Sequence, residues 1–236
     1  MVNPLFFRAS PRGNIEEVER HNSENEKICD VLYVRYAFEF DAYKFARDYF
    51  LEHEEYDYFI IATDDIVVKP EHLIQLLKDL DDDEKPVLSG MMNVDQHEYN
   101  LENGNLNICQ CLALKDRKLR QYDWMKRRDL PSDNIFQMKF SGFPLMAIRR
   151  DVVSLTPFAA DGVFKGKDMK FGASLDFVFC WFCHEMGIPI FVDKRIDMQH
   201  LRTSGIHQAG ERKKEVWLND RMIQFGLNPI NSLLES

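Results

Sequence analysis

No apolar run in the 236 residues approaches the ~20 needed to cross a bilayer, so no transmembrane segment is expected. Residues 1–12 lack the apolar region and small-residue cleavage site of a secretory leader. Positive charge is also scarce: 30 Lys and Arg stand against 39 Asp and Glu, a net −9. That balance argues against general nucleic-acid or anionic-membrane binding, and leaves room only for a local basic patch that holds a phosphate. Five cysteines, an odd number, do not make a disulfide framework. Cys109 and Cys111 alternate in a strand-like run, and Cys180 and Cys183 are one helical turn apart. Together they could supply a four-thiolate zinc site. Packing of small apolar side chains in a reducing, cytoplasmic setting is the preferred reading. Internal repeats, low-complexity stretches and a second domain are absent as well, which leaves one domain with an ordinary 45% hydrophobic and 29% charged composition.

What is present begins with Tyr58-Phe59-Ile60-Ile61-Ala62, an unbroken aromatic and β-branched run followed at once by Thr63-Asp64-Asp65. Such a run suits a strand buried on both faces. Carboxylates at its exit would then stand where an open α/β sheet binds ligands. Adjacent aspartates repel each other, and a cation beside them relieves the repulsion. Pro70 and Glu71 start a helix to about Leu80, since proline suits a first turn and an acid there favours the dipole.

Strands are expected over 5–10 and 28–36, with helices over 15–21 (capped by Asn14) and after Asp41. This strand–helix alternation predicts a parallel sheet with helices on its faces. Further strands are expected over 86–92, 106–114 and 188–193, the last extended by 196–199, and 137–148 carries a strand pair or a bend between strands. Residues 81–83 read as a solvated acidic loop, 93–105 as an excursion and 158–171 as a mobile loop. Arg149-Arg150-Asp151 opens a short helix. Ser174-Leu175-Asp176 opens an apolar helix through Cys183 to Met186, stopped by Gly187. A final helix is expected over 216–225. In 115–128, seven basic residues surround Tyr122 and Trp124. That mixture could hold phosphate and stack on a sugar or base, or could equally be an exposed amphipathic loop or helix.

The order of Thr63-Asp64-Asp65 after a strand, Ser174-Leu175-Asp176 opening a helix, and His200 after a late strand resembles the family 2-type glycosyltransferases with the glycosyltransferase A fold. Gly142 to Val152 is similar to that family's glycine-containing segment ending in a basic pair and a helix. The run Asp176-Phe177 through His184-Glu185-Met186-Gly187-Ile188-Pro189-Ile190 is similar to its acid, helix, glycine and closing strand. The resemblance spans 5–200. It implies a single-domain α/β fold of nucleotide-diphospho-sugar transferase type, with a mostly parallel central sheet and helices on both faces. Residues 1–92 would form the nucleotide-binding half, 93–200 the acceptor and catalytic half, and 201–236 a mobile basic loop and C-terminal helix.

The activity implied is metal-dependent, inverting transfer of a sugar from a nucleoside diphosphate sugar, most often a UDP-sugar, to a hydroxyl of a carbohydrate acceptor. By resemblance Asp65 would ligate Mn2+ or Mg2+ directly, His200 would complete the metal shell, and Asp64 would steady the metal or contact ribose. Imidazole beside carboxylate favours manganese over calcium. Asp176 would be the general base, being ionised at neutral pH and at a helix start. Arg8 and Ser10 would meet the nucleotide, as would Arg47 in an Ala-Arg motif. Arg202, Arg212 and Lys213 would close over the diphosphate. Taken one at a time, Asp64 or Asp65 could be a turn cap, Asp176 a helix-start acid and His200 a structural histidine.

Two departures stand out. Thr63 occupies the first position of the usual Asp-x-Asp, and Val34-Arg35-Tyr36-Ala37 replaces the family's Asp-Asp-Gly-Ser. A nucleotidyltransferase or phosphohydrolase would use the same metal logic, but such enzymes carry a glycine-rich first loop where this chain has Gly13 alone. A degenerate, carbohydrate-binding domain is the non-enzymatic alternative, and such a domain could also be a module of a longer chain.

Overall fold

The computed structural model describes residues 2–10, 16–37, 39–80, 85–93, 108–156, 158, 164–165, 170–172, 175–201, 215–219 and 221–223. Strand β1 (Pro4–Ser10) is buried along its whole length. Its odd positions Leu5, Phe7 and Ala9 join one core, while Phe6 joins another on the opposite face. Side chains alternate between faces along a strand, so a strand that is apolar throughout separates two cores. Helix α3 (Glu39–Glu52) covers the first face with Tyr43, Ala46 and Phe50 at helical spacing. Helix α4 (Pro70–Leu80) covers the second with Leu73, Leu76 and Leu80. Helices therefore lie on both faces, as the alternation of strand and helix predicts.

β1 pairs in parallel with β2 (Asp30–Arg35) and β3 (Tyr58–Ala62). Strand β5 (Val87–Met92) pairs in parallel with β12 (Ile190–His200). Between these halves lies β9 (Met146–Arg149), antiparallel to both β3 and β5. The sheet is thus mixed, not mostly parallel. After β5 the chain stops alternating strand with helix, and parallel neighbours need a long crossover. Strand β8 (Ile135–Met138) also runs antiparallel to β12.

Other expectations shift. α3 begins at Glu39, so Asp41 lies inside its first turn instead of capping it. The first helix is split into α1 (Glu16–Glu19) and α2 (Asn22–Asn25), and the expected cap Asn14 lies outside the described residues. The segment 115–128 is mostly the turn and return strand of a hairpin, β6 (Ile108–Asp116) against β7 (Gln121–Lys126), in a second, four-stranded sheet, with a single 3-10 turn beginning at Arg127. Within 158–171, β10 (Phe164–Lys165) pairs with β11 (Lys170–Gly172). The acidic run 81–83 and the excursion over 94–105 lie outside the described residues. Helix α5 (Arg150–Leu155) starts where the basic pair places it. Helix α6 (Leu175–Met186) ends at Gly187, whose φ of 71° is left-handed.

The final helix is replaced by strands β13 (Glu215–Leu218) and β14 (Arg221–Met222). β13 pairs antiparallel with β2, whose outer edge would otherwise be unpaired. Asn219 turns the hairpin at φ 51°; its Oδ1 accepts the Val31 N–H at 2.7 Å and its Nδ2 donates to Asp30 Oδ1 at 3.0 Å. Edge pairing overrides local helical spacing here. All four cysteines weighed for zinc are buried, Cys109 and Cys111 in one cluster and Cys180 and Cys183 in another. No described helix is long and apolar enough to cross a membrane.

Candidate functional site

The acidic turn after β3 is fixed by several short contacts. Ile66 N–H donates to the Thr63 carbonyl at 3.3 Å, closing the turn that carries Asp64 and Asp65. The short strand β4 (Ile66–Val67) then pairs with the end of β12, setting Ile66 opposite His200. Leu201 N–H donates to the Asp65 carbonyl at 2.7 Å. On the side chain, Thr63 Oγ1 donates to Asp65 Oδ1 at 3.0 Å, and His200 Nε2 lies 3.2 Å from Asp65 Oδ2. Thr63 thus orients the second aspartate. The structure brings Asp65 and His200 together although 135 positions separate them.

These residues open onto a cavity of about 450 Å³, within the usual range for small-molecule sites. Asp176 lines it from the start of α6, Glu39 from the start of α3, and Asp64 and Asp65 from the turn. Asp176 Oδ1 accepts the Phe177 N–H at 2.8 Å, and a methyl added at Gly142 would stand 3.7 Å from Oδ2. Glycine at 142 therefore keeps the space beside that oxygen open. Tyr43 lines the cavity as well and is fully buried, with no hydrogen-bond partner for its hydroxyl among the described residues. Burial first, then the charges of Glu39, Asp176, Asp64 and Asp65, push its phenol well above the ordinary value. One tyrosine feels all four carboxylates. It stays a hydrogen-bond donor at neutral pH.

The residues expected to bind nucleotide are placed differently. Arg8 is 2% exposed, is absent from the cavity wall, and donates from Nη2 to the Ile66 carbonyl at 3.0 Å. Ser10 is buried, and its carbonyl accepts the Tyr36 N–H at 3.0 Å. Arg47 binds the carbonyls of Val153, Ser154 and Thr156, tying α3 to the end of α5. Arg202, Arg212 and Lys213 lie outside the described residues.

The basic segment divides. Trp124 forms part of the cavity wall at 38% exposure, whereas Tyr122 is buried against Phe140 and Phe177. None of the cations of this segment lines the cavity: Lys115 lies 3.8 Å from Asp123, Arg117 3.0 Å from Glu185, and Arg127 bonds Asp197. Sequence reasoning missed Glu39, Tyr43 and Gln110. The last is buried in the wall, its Oε1 accepting Met92 N–H at 2.8 Å and its Nε2 donating to the Gly90 carbonyl at 2.9 Å.

Asp65 Oδ2 and His200 Nε2 stand 3.2 Å apart in the cavity wall, an oxygen and a nitrogen ligand that could serve one cation, for which the mixed pair fits manganese better than calcium. Among the described residues no group of three or more His, Cys, Asp or Glu side chains is gathered to hold a metal ion. Remaining coordination would fall to water and to a ligand's own oxygens, which is common for such hard cations.

No family model and no curated protein matches the chain. Solved structures do. A197 from STIV aligns with a TM-score of 0.54 at 15% identity, over 97% of this chain and 100% of that one, and shares the fold. The inositol-1-phosphate CTP transferase from T. maritima aligns at a TM-score of 0.45 and 12% identity, over 86% of this chain and 90% of that one, too distant to carry an argument.

Proposed function

We propose that this chain is a metal-dependent, inverting glycosyltransferase that moves a sugar from a nucleoside diphosphate sugar, with uridine expected as the base, to a hydroxyl of a carbohydrate acceptor. The observation that carries this reading is the convergence of Glu39, Asp64, Asp65 and Asp176, from three separate stretches of chain, on one cavity. Four carboxylates around a small cavity attract cations and repel a bare phosphate. A nucleoside diphosphate could enter such a cavity only with its charge offset by a cation. Asp65 and His200 would hold that cation, with Asp64 beside them, and the cation would supply Lewis-acid stabilisation of the departing diphosphate.

The chain's own residues do the rest. Asp176 takes the proton of the acceptor hydroxyl. The hydroxyl oxygen forms the new bond to the anomeric carbon as the bond to the diphosphate breaks, and the electron pair leaves with the diphosphate. A positioned base of this kind contributes ~10²–10⁴-fold. Trp124 offers an aromatic face to a sugar ring, the kind of contact that orients apolar faces of polar ligands. The whole chain acts as one such domain, and its partners are donor and acceptor, not nucleic acid.

The test is incubation with a panel of nucleotide sugars and Mn2+, following nucleotide release with and without carbohydrate acceptors. Nucleoside diphosphate released only with metal supports the reading. Release of pyrophosphate or nucleoside monophosphate would instead indicate nucleotidyl or phosphohydrolase chemistry. Release that survives chelation would remove the metal from the mechanism.

A further inference from the structure

Arg8 presents an anomaly that the proposed chemistry leaves unused. A guanidinium 2% exposed in a protein core is costly unless its charge and its N–H groups are met. Arg8 Nη1 is buried with no hydrogen-bond partner among the described residues, and Nη2 meets the backbone carbonyl of Ile66. The strand register sets Arg8 between Ala62 on β3 and Tyr33 on β2, so it stands beside the last residue of β3. Period-two alternation puts it on the same face as Phe6, turned from the face on which Ala9 lines the cavity. Its guanidinium lies 5.5 Å from the Phe6 ring centroid, a cation–π distance.

We propose that Arg8 is the positioning residue of the acidic turn: by holding the Ile66 carbonyl from beneath, it fixes the β4–β12 contact that sets Asp65 against His200. Three links run in sequence. Nη2 holds Ile66, Ile66 pairs with His200, and His200 meets Asp65, whose carbonyl in turn receives Leu201 N–H. The positive charge also lies behind two adjacent carboxylates and offsets part of their mutual repulsion. Burial lowers the Arg8 pKa to about 10, while Tyr33, Glu19, Asp64 and Asp65 push it back up, so the side chain remains a cation at neutral pH. The turn is therefore held in shape before any ligand arrives. The inference rests on the proposed function only for what the turn binds.

Amide hydrogen exchange of the ligand-free protein tests it, comparing wild type with Arg8→Met and Arg8→Lys. Arg8→Met fills similar space without charge. The amides of Ile66 and Leu201 should exchange at least about tenfold faster in it, the loss expected for a hydrogen bond to a charged group. Amides of α5 and α6 should keep wild-type rates, and Arg8→Lys should recover much of the protection. Unchanged exchange at Ile66 and Leu201, or an equal rise along the whole chain, would overturn the proposal. A second readout is stabilisation against heat by Mn2+. Arg8→Met should need roughly tenfold more Mn2+ than wild type for the same shift. Tighter Mn2+ binding in Arg8→Met would mean that Arg8 merely opposes the ion, and would also overturn it. Should wild type show no response to Mn2+, the metal reading fails while the exchange result still decides the role of Arg8.

Discussion

Two acidic clusters in this molecule differ in what surrounds them. On one side, Asp79 of α4 and Asp193 of β12 flank Arg195, whose Nη2 lies 2.9 Å from carboxylate oxygens of both. Asp193 is fully buried, and burial raises its pKa from the ordinary value. The four residues from Asp193 to Ile196 bulge out where β5 contributes Gly90 alone, and a methyl at Gly90 would strike Met198 Cε at 2.6 Å. This cluster closes on itself around an arginine and fastens α4 to the sheet. On the other side, Glu39, Asp64, Asp65 and Asp176 face a common open space of about 450 Å³. Acids arranged around an arginine stabilise a fold. Acids arranged around a cavity leave room for a ligand.

The largest expected effect breaks function without breaking the fold. Asp176→Asn should lower sugar transfer by ~10²–10⁴-fold while donor binding persists, as read by single-turnover assays. Normal transfer by that variant would assign the base to another residue. Next comes His200→Ala, which should weaken Mn2+ binding by at least about tenfold with a small change in melting temperature. An unaltered Mn2+ affinity would take His200 out of the site. Arg195→Met should show the opposite pattern. Leaving two carboxylates without their guanidinium should cost about 2 kcal/mol, less than a fully enclosed pair because Arg195 is 40% exposed, with Mn2+ binding intact. For a chain of this size that is a fall of roughly 4–8 °C. If Arg195→Met instead lost metal binding and kept its stability, the division between the two clusters would collapse.

The smallest effect concerns a surface pair. Hydrogen bonds from Arg149 hold the Asp151 carboxyl below its ordinary pKa despite some burial. A depressed carboxylate contributes stability above the unfolded value of ~3.9, and loses it as pH falls through the lower folded value. Asp151→Asn should therefore reduce stability at pH 7 by less than about 1 kcal/mol, and by progressively less as pH falls below ~3.9. A larger loss in acid than at neutrality would contradict the assignment.

How much of this was legible in the sequence depends on the distance over which each feature is decided. The strand at 58–62, the proline-started helix and the glycine-stopped helix follow from local pattern. Local pattern also supplied Asp64 and Asp65 as an acidic pair at a strand exit, whereas Asp176 and His200 became candidates only through the order of motifs that the family resemblance supplies. Long-range pairing was not legible. The insertion of β9 depends on which edges are free, and the strand at 215–218 depends on an unpaired β2 edge and on Asn219 reaching Asp30. Glu39 and Tyr43 enter the cavity wall through the docking of α3, which apolar spacing alone reads as core. Arg8 is the instructive case: alternation along β1 already put it on the face of Phe6, and only the motif resemblance turned it toward a nucleotide.

The most direct measurement is a titration of free Mn2+ by electron paramagnetic resonance, in wild type and Asp65→Asn, with melting curves of both. One bound ion is expected in wild type and its loss in Asp65→Asn, with melting curves that show both proteins folded. A wild type that binds no Mn2+, or an Asp65→Asn protein that binds it equally well, would contradict the claim that this cavity is a cation site.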